Sequence, residues 1–240
     1  MDPLPARDIA APLPDWTSPP RPGRMVLAGR WARLEPLHPE HAAPLFEAFA
    51  EDAAGAMWRY LGVGPYADLE AYADWVRLAQ RSDDPLHFAI RMADGRFGGT
   101  LALARIQPEA GSIETGWLSF APRLQRTPAA TEAVFLLMQW AFEAGYRRFE
   151  WKCNAANTRS RRAAARFGFS YEGTFRQAAV VKGRNRDTAW FAAIDAEWPA
   201  LRTAFTAWLD PANFDAEGRQ RQSLRALTAP ALAARDPLDG

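Results

Sequence analysis

The sequence predicts a mixed α/β fold, and two features of its 240 residues support that prediction. One is an unbroken succession of strand, loop, helix, strand and helix over residues 112–169. The other is a set of segments outside that block in which apolar and polar residues alternate, as they do in half-buried strands. In folds of this class the strands form one sheet and the helices pack against its faces.

The central block begins with a strand and a capped helix. Residues 113–120 alternate between two faces, and Pro122 ends the strand. Thr127 and Pro128 are residue types preferred at the N-cap and the first position of a helix, and Gly145 is a typical stop. Between them, apolar residues recur with the period of an α-helix, at Val134, Leu137, Met138, Ala141 and Phe142.

The start of this helix has the properties of a phosphate site. Its first turn leaves backbone N–H groups without carbonyl partners, and Ala129 and Ala130 are too small to keep a phosphate away. The segment Gln125-Arg126-Thr127-Pro128-Ala129-Ala130 is similar to the Gln/Arg-x-x-Gly-x-Gly/Ala loop that wraps the pyrophosphate of coenzyme A in the Gcn5-related N-acetyltransferase (GNAT) superfamily. Pro128 stands where that loop has its first glycine, and it removes one N–H donor.

A second block carries the same resemblance. Residues 149–153 alternate as a short strand, and Asn157-Thr158-Arg159-Ser160, eight residues before Gly168-Phe169, is similar to the family's Asn-x-x-Ser helix that ends in Gly-Phe. Segments 113–118 and 130–133 resemble the branch that acetylates ribosomal proteins and other protein N-termini. The two blocks occur in the family's order and extend the resemblance over roughly 25–195.

The resemblance implies a GNAT-like fold and activity. The expected architecture is a twisted, mainly antiparallel sheet of about seven strands with helices on both faces. The expected activity is acetyl-CoA-dependent N-acetyl transfer, by direct attack of an amine in a ternary complex. The residues expected at acetyl-CoA are Leu118 and Phe120 through their backbone groups, and Gln125, Arg126, Thr127, Ala129, Ala130, Thr131 and Asn157.

Two residues are candidates for proton transfer. Glu114 is an internal carboxylate on the strand that faces both substrates, where it either accepts the amine proton or is an ordinary paired carboxylate. In some relatives a serine at the position of Ser160 returns a proton to the departing thiolate, and the alternative is a hydroxyl on the helix surface. The tyrosine that many relatives use for this step is replaced by Ala164. Asn157 likewise either contacts the pantetheine arm or caps a helix.

The acceptor is the least determined part of the site. The resemblance to the N-terminal branch favours a peptide α-amine, and the alternative is a small amine such as a polyamine, an amino acid or an aminoglycoside. An open groove between residues 57–66 and 182–187 would favour a peptide, whereas a strongly acidic groove would favour a cationic small molecule. Four aromatic residues are candidate substrate contacts, with burial in the core as the alternative for each: Trp58, Tyr60, Trp117 and Trp151.

The amino-acid composition limits the kinds of partner that the protein can bind. A formal net charge of +1 gives no general attraction to nucleic acid or to an anionic membrane. Cys153 is the single cysteine, and no Cys/His cluster has the spacing of zinc ligands, which predicts no disulfide, no metal and a cytoplasmic protein. The stretch before Gly23 contains seven prolines and no continuous apolar run, unlike a signal peptide or a membrane span.

The length predicts one domain with two tails. The expected parts are a proline-rich arm at 1–24, the acetyltransferase domain at 25–195, and a C-terminal amphipathic helix with a partly ordered tail at 196–240. Two hypotheses of other classes stay open: a non-catalytic acyl-CoA-binding or regulatory module, favoured by Pro128 and the missing tyrosine, and a pure interaction domain. An exposed aromatic surface on the predicted helix 198–209 would favour an interaction role or a homodimer.

Overall fold

The computed structural model describes residues 12–239, so residues 1–11 of the predicted arm lie outside the described part. Eight strands form one sheet. The strands are β1 (Leu27–Ala28), β2 (Ala32–Pro36), β3 (Leu86–Met92), β4 (Phe97–Gln107), β5 (Ser112–Phe120), β6 (Arg148–Asn154), β7 (Ser170–Val181) and β8 (Arg184–Ile194). The α-helices are α1 (Ala42–Phe49), α2 (Leu69–Ala79), α3 (Pro128–Glu143), α4 (Thr158–Arg166), α5 (Trp198–Leu209) and α6 (Leu224–Thr228).

The strands follow the order β1-β2-β3-β4-β5-β6-β8-β7 across the sheet. Every neighbouring pair is antiparallel except β5 and β6, which are parallel. The mixed α/β class and the mainly antiparallel sheet are therefore confirmed. The sheet has one strand more than the seven expected, because Leu27 and Ala28 pair with β2 as a short edge strand.

Helices α3 and α5 cover one face of the sheet, called here the α3 face. Their side chains Leu137, Met138 and Phe205 share one core with Ile113 of β5 and Phe149 of β6. All five side chains are fully buried. Because side chains alternate along a strand, the residues between these core positions point to the opposite face.

Helices α1 and α2 lie on that opposite face, called here the α1 face. Leu45 of α1 and Val76 of α2 pack with Ala89 of β3 and with Phe97 at the start of β4. The two helices therefore cover one side of this face. The other side, formed by β5, β6 and β8, carries the polar side chains of the candidate site.

Both described chain ends pack against the domain. The Tyr146 hydroxyl donates to the carbonyl oxygen of Pro20 at 3.0 Å, which fixes the end of the arm. Near the C-terminus, the buried carboxylate of Asp236 accepts a hydrogen bond from Arg161 of α4 at 2.7 Å. The segment expected to be a partly ordered tail is thus held by an ion pair to α4.

Helix α5 turns its aromatic residues into the molecule. Phe205 and Trp208 are buried, and the half-buried ring of Trp198 stacks on Phe142 of α3 at 5.1 Å between ring centroids. The exposed aromatic surface that would have favoured an interaction role or a homodimer is therefore absent from α5.

The first turn of α3 is fixed to the β1–β2 turn by a buried carboxylate. Glu132 accepts hydrogen bonds from the backbone N–H groups of Arg30 at 3.0 Å, Trp31 at 2.6 Å and Ala32 at 2.7 Å. Gly29 is required beside it, because a Cβ atom at that position would lie 2.2 Å from the carboxyl carbon of Glu132. The contact sets the position of the α3 N-terminus relative to the sheet.

We expect Glu132→Gln to lower the free energy of unfolding by about 2–3 kcal/mol, because an amide leaves buried N–H groups without an acceptor. Urea denaturation followed by tryptophan fluorescence measures the change. The matched control, Glu143→Gln, alters an exposed carboxylate at the end of the same helix and stays within about 0.5 kcal/mol of the wild type. Equal stability of Glu132→Gln and the wild type would show that the carboxylate does not hold this turn.

Candidate active site

The two parallel strands at the centre of the sheet separate towards their carboxyl ends. Pairing of β5 with β6 runs from Ser112 with Arg148 to Thr115 with Trp151 and ends there. Beyond this point each strand stays with its antiparallel neighbour, β5 with β4 and β6 with β8. A gap therefore opens between residues 116–120 and 152–154, at the sheet edge where α/β folds bind their ligands.

A β-bulge in β5 lies where the gap begins. Gly116 pairs with Ala102 of β4, whereas Ser119 pairs with Thr100, so β5 has one residue more than β4 over this stretch. The extra residue is accommodated at Trp117, whose φ of 56° lies in the left-handed region. Bulges of this kind redirect backbone groups and side chains beside functional sites.

The bulge leaves backbone groups of β5 facing the gap. The N–H of Ala121 donates to the carbonyl of Gly98 at 2.9 Å, on the β4 side of the strand. Since successive residues alternate their backbone direction, Leu118 and Phe120 present their N–H and C=O groups to the opposite side. The carbonyl of Phe120 accepts a hydrogen bond from the Gln125 side chain at 2.8 Å. The backbone groups of Leu118 and the N–H of Phe120 are thus left facing the gap.

Helix α3 begins at the end of this gap with the predicted cap. Thr127 Oγ1 accepts the N–H of Ala130 at 3.2 Å and donates to the carbonyl of Leu124 at 2.7 Å. The N–H of Ala129 has no acceptor within the helix, since it belongs to the first turn. Ala129 and Ala130 are both buried, and their methyl groups belong to the core of the α3 face.

The remaining loop residues differ in exposure. Gln125 and Arg126 are exposed, and Arg126 has a φ of 64°. Thr131 is buried, and its hydroxyl accepts a hydrogen bond from Arg166 at 3.1 Å. Arg123 donates to Glu51, just after the end of α1, at 2.6 Å, so its charge is already compensated. Of the charged groups in the loop, Arg126 is the one that remains open to an anion.

Helix α4 begins on the other side of the gap. The side-chain oxygen of Asn157 accepts the N–H of Ser160 at 3.2 Å and so caps the helix. The Ser160 hydroxyl accepts a hydrogen bond from Trp151 Nε1 at 3.1 Å. Burial raises the pKa of the Cys153 thiol, and a hydrogen bond from Ser160 opposes that rise. The hydroxyl therefore lies on the α3 face, among the side chains of Trp151 and Cys153.

Glu114 lies on the α1 face at the closed end of the gap. The residue is 9 % exposed, and its Oε2 lies 2.5 Å from Nζ of Lys152. The guanidinium Nε of Arg105 lies 3.6 Å from the same oxygen. Burial raises the pKa of the Glu114 carboxyl, and the ammonium of Lys152 opposes that rise. The carboxylate is thus largely removed from water and lies close to two cations, while its Oε2 has no partner with hydrogen-bond geometry in the described part of the chain.

Two residues beside Glu114 were not predicted from the sequence. Lys152 and Trp190 of β8 are direct neighbours across the sheet, and Nζ of Lys152 lies 4.4 Å from the centroid of the Trp190 ring. The indole N–H of Trp190 is buried and has no hydrogen-bond partner within residues 12–239. The sequence feature that could have indicated Lys152 is the alternation of side chains along β6, which places Lys152 on the face opposite Trp151.

The predicted aromatic contacts are divided between the two faces. Trp58 is buried in the core beneath α1 and α2. Trp117 is partly exposed at the bulge, edge-on to the buried His87, whose pKa burial lowers to about 4. Trp151 packs in the core of the α3 face, on the opposite side of the sheet from Glu114. Trp151 is therefore a core residue, which was the alternative to a substrate contact.

The loop at residues 57–66 and the tip of the β7–β8 hairpin are joined. The Lys182 ammonium donates to the carbonyls of Trp58 at 2.9 Å, Val63 at 3.1 Å and Gly64 at 2.6 Å. The Tyr60 hydroxyl reaches the carbonyl of Ala156 at 3.3 Å, on the β6–α4 connection. The groove between loop and hairpin is therefore bridged rather than open.

Residues 12–239 contain neither a metal-binding cluster nor a membrane-spanning helix. No group of three or more His, Cys, Asp or Glu side chains is arranged to hold a metal ion there. Within the same residues, none of the helices combines the length and the apolar character needed to cross a membrane.

Comparison with known proteins gives matches of two kinds. The family described as "Acetyltransferase (GNAT) domain" matches residues 32–170. A GCN5-related N-acetyltransferase from Brucella melitensis has 48% identity, covering 90% of this chain and 100% of its own, with a TM-score of 0.88. A probable GNAT-family acetyltransferase from Chromobacterium violaceum ATCC 12472 has 41% identity, covering 82% of this chain and 100% of its own, with a TM-score of 0.75.

A more distant structure shares the fold. The ribosomal L7/L12 α-N-protein acetyltransferase RimL has 22% identity, covering 71% of this chain and 94% of its own, with a TM-score of 0.61. A comparison with curated proteins finds no match. The family match over residues 32–170 and the 48% identity to the Brucella structure show that the chain belongs to the GNAT acetyltransferase family, whose general chemistry is acetyl transfer.

Proposed function

We propose that the protein transfers the acetyl group of acetyl-CoA to a primary amine of a small molecule, by direct attack in a ternary complex. The observation that carries the proposal is the gap between β5 and β6, where a free strand edge and a buried carboxylate meet. The family supports acetyl-CoA as the donor. When bound, it supplies the activated acetyl group.

The described residues fit a coenzyme A molecule. The free edge of β5 at Leu118 and Phe120 offers backbone donors and acceptors to the amides of a pantetheine arm. At the closed end, the hydroxyl of Thr115 is buried without a hydrogen-bond partner in the part of the chain that is described. The first turn of α3 offers the N–H of Ala129 to a phosphate, and Arg126 adds a positive charge beside it.

Glu114 is the base in this proposal. Attack on a thioester needs a neutral amine, so the proton must leave nitrogen towards an acceptor inside the site. Glu114 is a buried carboxylate on the α1 face, next to that of Glu150, and burial raises the pKa of the Glu114 carboxyl above its ordinary value. Its side chain lies directly over Gly116, where a Cβ atom would come within 3.2 Å of Oε1. The glycine leaves room for a substrate beside the carboxylate.

The contacts of Lys182 favour a small acceptor over a peptide. The hairpin and the 57–66 loop are joined by three hydrogen bonds, which bridge the groove that an extended chain would occupy at that end. The charges around Glu114 also disfavour a polycation. The carboxylates of Glu114 and Glu150 are offset by Lys152 and Arg105, which lie within 4 Å of one or both of them.

The donor site is tested by calorimetric titration with acetyl-CoA and free coenzyme A. We expect the double variant Gln125→Ala/Arg126→Ala to raise Kd about 10-fold, since one or two charge-assisted contacts are lost. The control, Arg202→Ala, removes an exposed arginine of α5 on the far side of α3 and leaves Kd unchanged. Absence of binding to the wild type would contradict the acetyl-CoA site and favour an interaction domain.

The role of Glu114 is tested by thiol release from acetyl-CoA with a small amine acceptor. We expect Glu114→Gln to lower kcat about 100-fold or more, as for other general bases, with Kd for acetyl-CoA unchanged. The wild-type rate should fall as the pH drops through the raised pKa of Glu114, and the variant should lack that acid limb. Glu109→Gln, at an exposed carboxylate outside the gap, keeps both rate and profile. Full turnover by Glu114→Gln would remove it from the mechanism.

Acceptor size is tested with an amino acid, an aralkylamine, spermidine and a tripeptide with a free N-terminus. We expect the wild type to acetylate the smaller monoamines and to discriminate against the tripeptide. Lys182→Met removes the three contacts across the groove and should raise the relative kcat/KM for the tripeptide about 10-fold. Arg184→Met, at an exposed position of the same hairpin, keeps the wild-type preference. A wild type that prefers the tripeptide would favour a protein N-terminus as acceptor.

A further inference from the structure

Lysine is used sparingly in this chain, and both lysines lie at the candidate site. Of 29 basic residues only Lys152 and Lys182 are lysines. Lys182 joins the hairpin to the 57–66 loop, and Lys152 forms the close pair with Glu114. An ammonium differs from a guanidinium in that it can give up a proton under ordinary conditions. Next to the Glu114 carboxylate, a side chain that can donate a proton has a chemical role that a guanidinium could not fill.

Lys152 stands where the gap closes. Trp151 is the last residue of β6 paired with β5, so Lys152 is the first residue beyond the paired part. Its side chain is 10% exposed and points to the α1 face, where Nζ lies 2.5 Å from Glu114 Oε2. Glu114 in turn lies over Gly116, next to the bulge at Trp117. The pair thus borders the place where amine, thioester carbon and sulfur meet in the proposed function.

The surroundings make the pair able to exchange a proton. Both side chains are largely removed from water, with exposures of 10% and 11%. Burial disfavours two separated charges, and it raises the pKa of the Glu114 carboxyl. The Trp190 ring under the ammonium and the Arg105 guanidinium beside the carboxylate limit the movement of both groups. Within the described residues Glu114 Oε2 has no partner with hydrogen-bond geometry, so proton transfer across the 2.5 Å contact needs the two side chains to reorient, without a rearrangement of the sheet.

The other candidate acids are less suited to the same step. Ala164, at the position where many relatives place a tyrosine, has no proton to give. The Ser160 hydroxyl lies on the α3 face, where it accepts from Trp151 Nε1 and donates towards the Cys153 thiol. Neither group is in contact with Glu114.

We propose that Lys152 is a catalytic residue that protonates the departing thiolate of coenzyme A and forms an acid–base couple with Glu114. As the new C–N bond forms, the amine proton passes to the Glu114 carboxylate. As the C–S bond breaks, the Lys152 ammonium gives its proton to sulfur. The neutral carboxyl of Glu114 then returns its proton to the neutral amine of Lys152, which restores the ion pair. One proton leaves nitrogen and one arrives at sulfur, so the step balances without an external acid or base.

The role of Lys152 rests on the proposed function, and Lys152→Arg separates it from a purely structural ion pair. Arginine keeps the positive charge beside Glu114 but does not release a proton at accessible pH. We expect Lys152→Arg and Lys152→Met each to lower kcat about 100-fold, with Kd for acetyl-CoA within about 2-fold of the wild type. Wild-type rate in either variant, measured at the same pH and at saturating acetyl-CoA, would contradict the acid role.

A double variant tests whether the two residues act as one couple. Glu114→Gln/Lys152→Met should be within about 3-fold of the slower single variant, because residues that act as a unit show non-additive effects on kcat. Multiplicative losses would show independent roles and would overturn the couple. Calorimetric binding of acetyl-CoA confirms that each variant is folded, and if Lys152→Arg does not bind, Lys152→Met decides through the same measurement of kcat.

The outcomes separate this inference from the proposed function. Acetyl transfer by the wild type, together with a Lys152→Arg variant that keeps the wild-type kcat, would overturn the role of Lys152 alone. A loss of rate in Ser160→Ala with no loss in the Lys152 variants would assign the acid to the serine. Binding of acetyl-CoA without transfer to any amine would overturn the proposed function and the couple together.

Discussion

The separation of β5 from β6 beyond Thr115 and Trp151 is the constraint on which the rest of the site depends. Each strand follows its own antiparallel neighbour, and the bulge at Trp117 increases the local bend and twist of β5. Backbone groups that would otherwise pair across the two strands are left facing a gap. Because an unpaired backbone group is unfavourable away from water, this edge is suited to an extended ligand that carries amides of its own.

The elements that flank the gap are fixed from outside it. Glu132 fixes the first turn of α3 to the β1–β2 turn, and Arg161 of α4 pairs with Asp236 near the C-terminus. Lys182 holds the hairpin to the 57–66 loop. None of these three contacts lies inside the gap itself. The positions of the two helix N-termini therefore do not depend on a bound ligand, which is the arrangement expected of a site that is organised before binding.

Local signals in the sequence predicted the elements well, because each signal acts within a few residues. Helix α3 begins at Pro128 after the Thr127 cap, and α5 spans 198–209 as its apolar period predicts. The strand predicted at 113–120 is β5 within one residue. The short β1 was missed, since two residues carry no periodicity of their own. The packing of the tail on α4 was missed because it depends on contacts between residues far apart in the sequence, such as the Arg161–Asp236 ion pair across 75 positions and the hydrogen bond from Thr228 to the carbonyl of Arg166.

The site was only partly predictable, because faces of neighbouring strands are related through tertiary pairing. Alternation within β6 shows that Lys152 and Trp151 point to opposite faces, but not which of them joins Glu114. That follows from the parallel register, in which Glu114 pairs with Glu150 and so shares a face with Lys152. The aromatic residue type therefore suggested Trp151 as a substrate contact, although it lies in the core, and Lys152 was not predicted.

The two lysines show why residue type carries information once the register is known. Three carbonyl oxygens around Lys182 match the three donors of a compact ammonium, whereas a planar guanidinium directs its donors in one plane. Lys152 has a ring beneath it and a carboxylate at 2.5 Å, in a space bounded by three strands. In a chain that otherwise uses arginine, the ammonium of Lys182 is explained by the arrangement of its three acceptors. The ammonium of Lys152 is explained by the proposed proton transfer.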